Sequence, residues 1–572
     1  MTTLPKNEIV DAVRALKRVF HALGAFSFAI NLLLLVPAIY MLQMYDRVLT
    51  SRNEATLIML TLIMVVLLLL EATLEFIRSQ VLARACAALD VKLSPRIFDA
   101  TFARALREQG GAAAQALADL ANLRQFLTGK ALFAFFDAPW TPIYLIVIFL
   151  LSPWLGLFAL VAAVLLLALA WGNEKSTAPL LAQANRLGTD ASQYASNNLR
   201  NAEVIEAMGM LPNLRERWFA RQARFLAVYG VAGDTASRFG SATRFARLVL
   251  QSGILGLGAY LVVDSQLTPG GMIAASILLA RALAPVDLAI ATWRGVVAAR
   301  AAYGRLTELL QRYPAVTPST TPLPRPDGAI TVENLVVGAP GSRTPILKGL
   351  RFQVEPGTLV AVVGPSASGK STLARALIGV WGPLSGAVRL DGAAVHTWDR
   401  EQLGPWVGYL PQDVELFDGT IAENIARFGA IDAERVLQAG QRSGVHDLVV
   451  RLPKGYDTPL GEGGLVLSAG QRQRIALARA LYGDPALVVL DEPDANLDEA
   501  GDQAFLDALR TMKEERRTAF VVTHRANVLA LVDRVLVLVD GGVQAFGPPG
   551  EVIKRRPRPV AVGDGTPSGE TS

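Results

Sequence analysis

Apolar and polar positions alternate along this chain with two different rhythms. In the first, apolar runs long enough to cross about 30 Å of hydrocarbon recur at Phe20–Tyr45, Ala55–Phe76, Ala131–Leu151, Trp154–Trp171, Leu248–Val263 and Met272–Ile290. They predict six membrane helices. In the second, past Tyr313, short β-rich runs alternate with helical ones, as a parallel sheet with crossover helices requires. Between the two lies Tyr313 to Gly328, which holds Pro314, Pro318, Pro322, Pro324 and Pro326 and cannot continue a helix. The expected organisation is an α-helical membrane domain over 1–312, a Pro-rich linker over 313–328 and an α/β domain over 329–553. A tail over 554–572, basic and then rich in Gly, Pro and Ser, is expected to be disordered.

Charge between the apolar runs orients them. The stretch from Arg78 to Lys130 carries Arg84, Lys92, Arg96, Arg104, Arg107 and Arg124, and Lys175 to Arg247 is similarly basic, so both belong in the cytoplasm. Ser152-Pro153 has no charge and the turn around Asp264 no Lys or Arg, which suits the outer face. Arg47 and Arg52 in the first outer loop run against this rule, beside Asp46 and Glu54. The two basic stretches read as helix turning near Gly110-Gly111 and near Gly209 to Pro212. At about 1.5 Å per residue they extend roughly 35 to 40 Å below the membrane.

Several polar residues interrupt the apolar runs, among them Glu71, Asp137, Arg281 and Asp287. Glu71 and Asp137 are expected near the interface, where neither needs a special role. Arg281, near the middle of the sixth run, is the candidate to line a path or pair with a carboxylate. Pro285 is expected to kink that helix by removing a backbone donor.

Composition supports this division. A chain of 572 residues exceeds what a single core sustains. Charged residues make up 18% of it, against about 25% in ordinary soluble domains. The net charge of +5 is spread beside apolar runs rather than gathered in a patch, which fits cytoplasmic segments at a bilayer and argues against a nucleic-acid partner. Cys86, the lone cysteine, excludes an internal disulfide framework and reads as a small buried residue. Lys6, Arg14, Lys17 and Arg18 precede the first apolar run as in a signal peptide, but that run is too long and has no small-residue cleavage site. It reads as a retained membrane helix.

The candidate chemistry lies in the second domain. Gly364, Pro365, Ser366, Ala367, Ser368, Gly369, Lys370, Ser371 and Thr372 fit the phosphate-loop pattern and follow an apolar run from Thr358 to Val363. Glycines let backbone N–H groups turn around a triphosphate, Lys370 can reach the β- and γ-phosphates, and the Ser371 hydroxyl suits Mg²⁺. The helix starting near Gly369 adds its positive end. Downstream, Gln412 follows an apolar strand, where its amide can meet Mg²⁺ or the attacking water. Leu467, Ser468, Ala469, Gly470 and Gln471 form a small-residue turn opening a helix. Ala486 to Leu490 is a strand ending in Asp491, suited to hold the metal, and Glu492, suited to take a proton from water. Val521-Val522-Thr523 ends another strand with His524, within reach of a γ-phosphate.

In this order the motifs resemble the ATP-binding-cassette family: Gly364 to Thr372 as Walker A, Gln412 as Q-loop, Leu467 to Gln471 as signature, Asp491 and Glu492 as Walker B and catalytic base, Ala495 to Asp498 as D-loop, His524 as switch histidine. Leu460-Gly461-Glu462 looks like the exporter loop that senses the membrane domain. A narrower resemblance, to the inner-membrane ATPases of type I secretion systems in their protease and haemophore exporter branch, rests on Tyr40 to Ser51, Phe136 to Tyr144 and Arg200 to Met210.

The resemblance implies a homodimer in the bacterial inner membrane that sandwiches ATP and Mg²⁺, with Ser468, Ala469, Gly470 and Gln471 of one copy facing the phosphate loop of the other. It implies Lys370, Gln412, Glu492 and His524 as the catalytic set, Asp498 as the D-loop aspartate, and Ser371, Gln412 and Asp491 as Mg²⁺ ligands. The cargo implied is an unfolded protein with a C-terminal signal, passed to a membrane-fusion adaptor and an outer-membrane channel. A lipid or drug flippase is the alternative, and a nucleotide-gated channel a further one, opposed by the presence of Glu492 and His524. Three positions depart from the family pattern. Ala469 stands where glycine is usual, so its Cβ is expected to strain a positive-φ position. The D-loop begins Ala495-Asn496, and Ala339 stands where an aromatic often stacks on adenine.

Overall fold

Hydropathy alone places six helices that are long and apolar enough to cross a membrane, and the computed structural model contains them at Lys17–Ser51, Glu54–Arg107, Leu132–Leu151, Pro153–Leu199, Leu211–Val263 and Pro269–Arg312. The structure describes residues 8–108, 113–199, 201–315, 323–461, 467–495 and 497–552. The turn at Gly110-Gly111, Arg200, Pro318, Pro322, Glu462, Asn496 and the tail from Lys554 lie outside the described residues. The chain divides into two units, one of Met1–Ala105 with Gly110–Ala315, the other of Val316–Ser572 with Leu106–Gln109.

In the first unit the helices outrun the bilayer. Glu54–Arg107 holds 54 residues, about 80 Å at the α-helical rise, so its apolar half and its basic half are one continuous element. The apolar window of that helix is wholly unburied, with Ile58, Leu62, Val66 and Leu69 exposed, as a lipid-facing surface demands. The protein core of the unit instead collects small and branched residues, Leu155, Ala159, Ala162 and Leu166 against Ile254, Leu278, Leu279 and Ala282, because small side chains let membrane helices approach closely. Cys86 is buried beside Leu82 and Leu23. Helix Pro269–Arg312 continues unbroken through Pro285.

Polar groups inside this unit are paired across helices. Arg78, at 4% exposure, donates to Ser27 Oγ and Asp137 Oδ1, each at 2.8 Å, and its guanidinium covers the Phe133 ring at 4.4 Å. Asn31 donates to the same Asp137 oxygen at 3.1 Å and accepts from the Tyr144 hydroxyl at 2.9 Å. Asp137, which the sequence reads as needing no special role, is the counter-charge of buried Arg78, and Arg78 belongs to the helix packing. Asp46 sits in a π-helical turn at Met44–Val48. It accepts from Thr268 Oγ1 at 2.6 Å and from the Gly270 N–H at 2.9 Å, capping the start of helix Pro269–Arg312. Asp287 pairs with Arg247. Arg281 is exposed and forms no ion pair among the described residues, so of its two candidate roles the carboxylate pair is not found there.

The second unit is built on a six-stranded sheet with spatial order Gly542–Gly547, Arg534–Val539, Leu359–Val363, Thr518–Val522, Leu487–Asp491 and Val407–Leu410. All neighbours are parallel except the first pair. Alternate residues feed opposite cores: Ala361, Val488, Leu490, Ala519 and Val521 pack with Ile475 and Phe505 on one face, and Val360, Val362, Val489, Phe520 and Val522 with Leu373 and Phe352 on the other. A sheet covered on both faces explains why its strands read as unbroken apolar runs. A second, antiparallel sheet orders Pro345–Val354, Ile330–Gly338, Ser385–Leu390 and Ala393–Ala394. Arg427 ties helix to sheet by donating to the carbonyls of Gly404, Val407, Arg479, Ala480 and Tyr482. Burial lowers its pKa to about 10.

Candidate functional site

Strand register gathers the candidate residues at one edge of the six-stranded sheet. Val522 pairs with both Val362 and Asp491, and Leu490 with Leu410. The segments that begin at Gly364, Gln412, Glu492 and Thr523 therefore all leave the sheet at the carboxyl ends of adjacent parallel strands, the usual crevice for a ligand in such folds.

The phosphate loop carries two left-handed residues, Ala367 at φ 63° and Gly369 at φ 96°, which turn the chain so that helix Lys370–Leu377 starts directly beneath it. A side chain at Gly364 would collide with the Leu538 carbonyl. Lys370 is only 7% exposed, and its Nζ donates to the carbonyls of Gly364 and Pro365 at 3.0 Å each, so the charge is held inside the loop. Pro365, Ser366 and Ala367 form its exposed rim, while Ser368 and Thr372 are buried. The Ser368 hydroxyl is buried without a hydrogen-bond partner.

Ser371 Oγ donates to Asp491 Oδ1 at 3.2 Å. Asp491 is fully buried. Burial raises its carboxyl pKa above the usual range and the neighbouring charge of Glu492 acts the same way, opposed by Ser371, Arg375 and Lys370. Its Oδ2 is buried and lacks any donor. An orphaned carboxylate oxygen beside a hydroxyl is a hard-oxygen donor set, and Mg²⁺ commonly takes one or two carboxylates and completes its shell with phosphate and water. These residues fit that ion.

Gln412 Nε2 donates to Glu492 Oε2 at 2.9 Å, leaving its own oxygen available. Glu492 adopts φ 51°, a left-handed conformation that a glutamate takes only under local constraint. The constraint comes from three hydrogen bonds: the Glu492 N–H donates to the Val522 carbonyl at 3.1 Å, and Gln473 donates to the carbonyls of Glu492 and Pro493. Gln473 is a residue that motif reading passed over. Its position at the start of the second turn of the signature helix holds no distinguishing sequence signal. His524 is exposed, with no side-chain hydrogen bond among the described residues.

Ser468 caps helix Ala469–Leu481 in a reciprocal box with Gln471, and Gly470 follows in its first turn, so the signature presents free N–H groups at a helix start. Ala469 is the first helical residue and is absent from the positive-φ positions. The expected strain at its Cβ does not arise, because a right-handed helical residue accommodates any L side chain. Asp498 caps the next helix, Glu499–Glu514, by accepting from the Gly501 N–H at 2.8 Å, and lies 3.5 Å from Arg474 of the signature helix. Ala339 is half-buried where its carbonyl accepts from Ser342 N–H in a turn.

Comparison with known proteins gives three findings. Family models described as ABC transporter transmembrane region and ABC transporter match residues 21–286 and 347–495. The chain is 45% identical, over 96% of its length and 95% of the relative's, to the type I secretion system ATP-binding protein PrsD of Rhizobium meliloti (strain 1021). It is 28% identical to the alpha-hemolysin translocation ATP-binding protein HlyB of Escherichia coli, over 95% of this chain and 78% of that one. The solved structure of a bacterial Atm1-family ABC exporter with ATP bound superposes with a TM-score of 0.81 at 24% identity, covering 94% of this chain and 96% of that one.

Proposed function

We propose, from the premise that this chain belongs to the ABC transporter family, that it is the membrane-embedded ATPase that drives protein export in a type I secretion system. The observation that carries the reading is 45% identity to a type I secretion ATP-binding protein sustained along 96% of the chain, membrane helices and nucleotide-binding unit together. It is a multi-pass membrane protein that couples ATP hydrolysis to transport.

The finer reading is that two copies pair in the bacterial inner membrane with their nucleotide-binding units in the cytoplasm. The cargo is an unfolded protein with a C-terminal signal, handed to a membrane-fusion adaptor and an outer-membrane channel. The resemblance of Tyr40 to Ser51, Phe136 to Tyr144 and Arg200 to Met210 to that class supports it.

In the hydrolysis step, Glu492 takes the proton of the attacking water while Gln412 holds its carboxylate in place. Lys370, turning from the loop carbonyls toward the substrate, and His524 stabilise charge on the γ-phosphate. The phosphate-loop N–H groups between Gly364 and Thr372 orient the triphosphate. Ser468, Ala469, Gly470 and Gln471 of a second copy close the site from above. Mg²⁺, when bound by Ser371, Gln412 and Asp491, supplies charge neutralisation on the phosphates.

The test is purification into lipid vesicles and measurement of ATP turnover, with and without a polypeptide carrying a C-terminal secretion signal. A changed rate with the signal is expected. Absence of hydrolysis with magnesium present overturns the ATPase assignment. A response to amphiphiles with none to the polypeptide transfers the cargo to lipids or drugs.

A further inference from the structure

Two charged side chains that the hydrolysis scheme leaves unused, Asp494 and Arg525, lie close in sequence to its base and its switch histidine respectively. Asp494 follows Glu492 closely, and its side chain is 9% exposed. Thr523 Oγ1 donates to Asp494 Oδ2 at 2.9 Å, and Arg525 Nε lies 3.2 Å from the same oxygen. Arg525 Nη2 donates to the Asp494 carbonyl at 2.8 Å, and Nη1 pairs with Asp502. The Thr523 hydroxyl also accepts from the Arg525 N–H at 3.1 Å. Both sequence neighbours of His524 are thus anchored on one buried carboxylate, while the imidazole between them is itself exposed.

The arrangement uses what distinguishes arginine from lysine. A planar guanidinium reaches acceptors in separate directions at once, and here it spans Asp494, on one side of the D-loop, and Asp502, in the first turn of the helix that begins on the other side. Asp498 caps that same helix. A displacement of the D-loop accordingly pulls on the backbone that carries His524.

The geometry points to a positioning role for Asp494 and Arg525: the pair forms a clamp that sets His524 relative to Glu492 and ties that placement to the D-loop. Neither residue touches the nucleotide in this scheme. The inference rests on the ATPase reading above, and unmodified protein is the control that separates the two. If the wild type fails to hydrolyse ATP, the function is wrong; if it hydrolyses and the clamp variants match it, only the clamp is wrong.

Steady-state ATP turnover of the full-length protein in lipid tests it, with Asp494→Asn, Arg525→Gln, Arg525→Lys and the double variant Asp494→Asn/Arg525→Gln. Losing a charge-assisted hydrogen bond predicts a fall in kcat of about 10- to 100-fold in Arg525→Gln, with KM for ATP within about twofold because the phosphate loop is untouched. Arg525→Lys, keeping the charge and losing the fork, retains more activity than Arg525→Gln. The double variant falls no further than the worse single one, since both break one linkage. Thermal unfolding is run beside each assay. Turnover within twofold of wild type, losses that multiply in the double variant, or losses that track a lowered Tm or a raised KM overturn the proposal.

Discussion

The two units of this chain bury polarity in opposite ways. In the nucleotide-binding unit several candidate side chains follow the ends of parallel strands of one sheet and meet there, as Ser371 meets Asp491 and Gln412 meets Glu492. In the membrane unit the polar side chains lie within helices and find partners far away in sequence, as Arg78 finds Ser27 and Asp137, and Asp46 finds Thr268. Parallel strands hold a fixed register, so the residues that follow their carboxyl ends gather at one edge of the sheet. A helix spreads its residues over all faces, and only packing decides which of them meet.

The sharpest way to break this contrast is to remove a partner from the membrane network. Asp137→Leu leaves buried Arg78 with Glu75 as its remaining counter-charge and Ser27 as a neutral acceptor, and takes from Asn31 one of its two acceptors. An expected loss of about 3 kcal/mol follows, at the low end for breaking a buried pair because Glu75 remains. Thermal unfolding in detergent measures it, and the double variant Arg78→Leu/Asp137→Leu should recover much of the loss. If the single variant unfolds with the wild type, the pair is no structural necessity. In the other unit the matching change is Glu492→Gln. It keeps an acceptor for Gln412 and removes the base, so turnover should drop at least about 10²-fold at an unchanged Tm. Near-normal hydrolysis would remove Glu492 from the mechanism.

That difference also marks what could be read from sequence. The membrane helices were legible because lipid demands continuous apolar runs, and the phosphate loop, Walker B strand and signature because each needs a fixed residue at a fixed spacing. The Asp137 partner was not legible, because hydropathy gives depth along one helix and says nothing about Arg78 on another. A glycine usual at the Ala469 position reads as a demand for positive φ, whereas the backbone there is the first turn of a helix. Gln473, Asp494 and Arg525 escaped notice for a common reason. They act by holding backbone and loops, and any polar residue of suitable length at those positions gives the same one-dimensional signal.

Gln473 tests whether such holding matters to the chemistry. Its amide is the donor to the carbonyls of Glu492 and Pro493, and Glu492 keeps its left-handed backbone against that support. Gln473→Leu is isosteric enough to fill the space and removes the donor, so kcat should fall about 10-fold, the worth of roughly one hydrogen bond. Steady-state kinetics with ATP binding measured alongside distinguishes this from weakened affinity. An unchanged kcat would mean the neighbouring strand alone holds the base.

The smallest effect is expected where a membrane helix borrows the strand-end logic of the other unit. Asp46 accepts from Thr268 and from the Gly270 N–H at the first turn of helix Pro269–Arg312, a cap supplied from another helix beside that of the adjoining Thr268, whose hydroxyl accepts from the Gly271 N–H. Removing a cap costs about 1 kcal/mol, so Asp46→Ala should lower the thermal unfolding midpoint modestly, well short of Asp137→Leu. Asp46→Asn keeps one acceptor, enough for the Gly270 N–H, and loses the second acceptor for Thr268 together with the favourable charge at a helix start, a smaller loss than that of Asp46→Ala. If Asp46→Asn destabilises as much as Asp46→Ala, the charge and not the hydrogen bond is what the helix end requires. The two units would then differ more than their geometry suggests: polar contacts in the nucleotide-binding unit would act through direction, and those at this membrane helix through sign of charge.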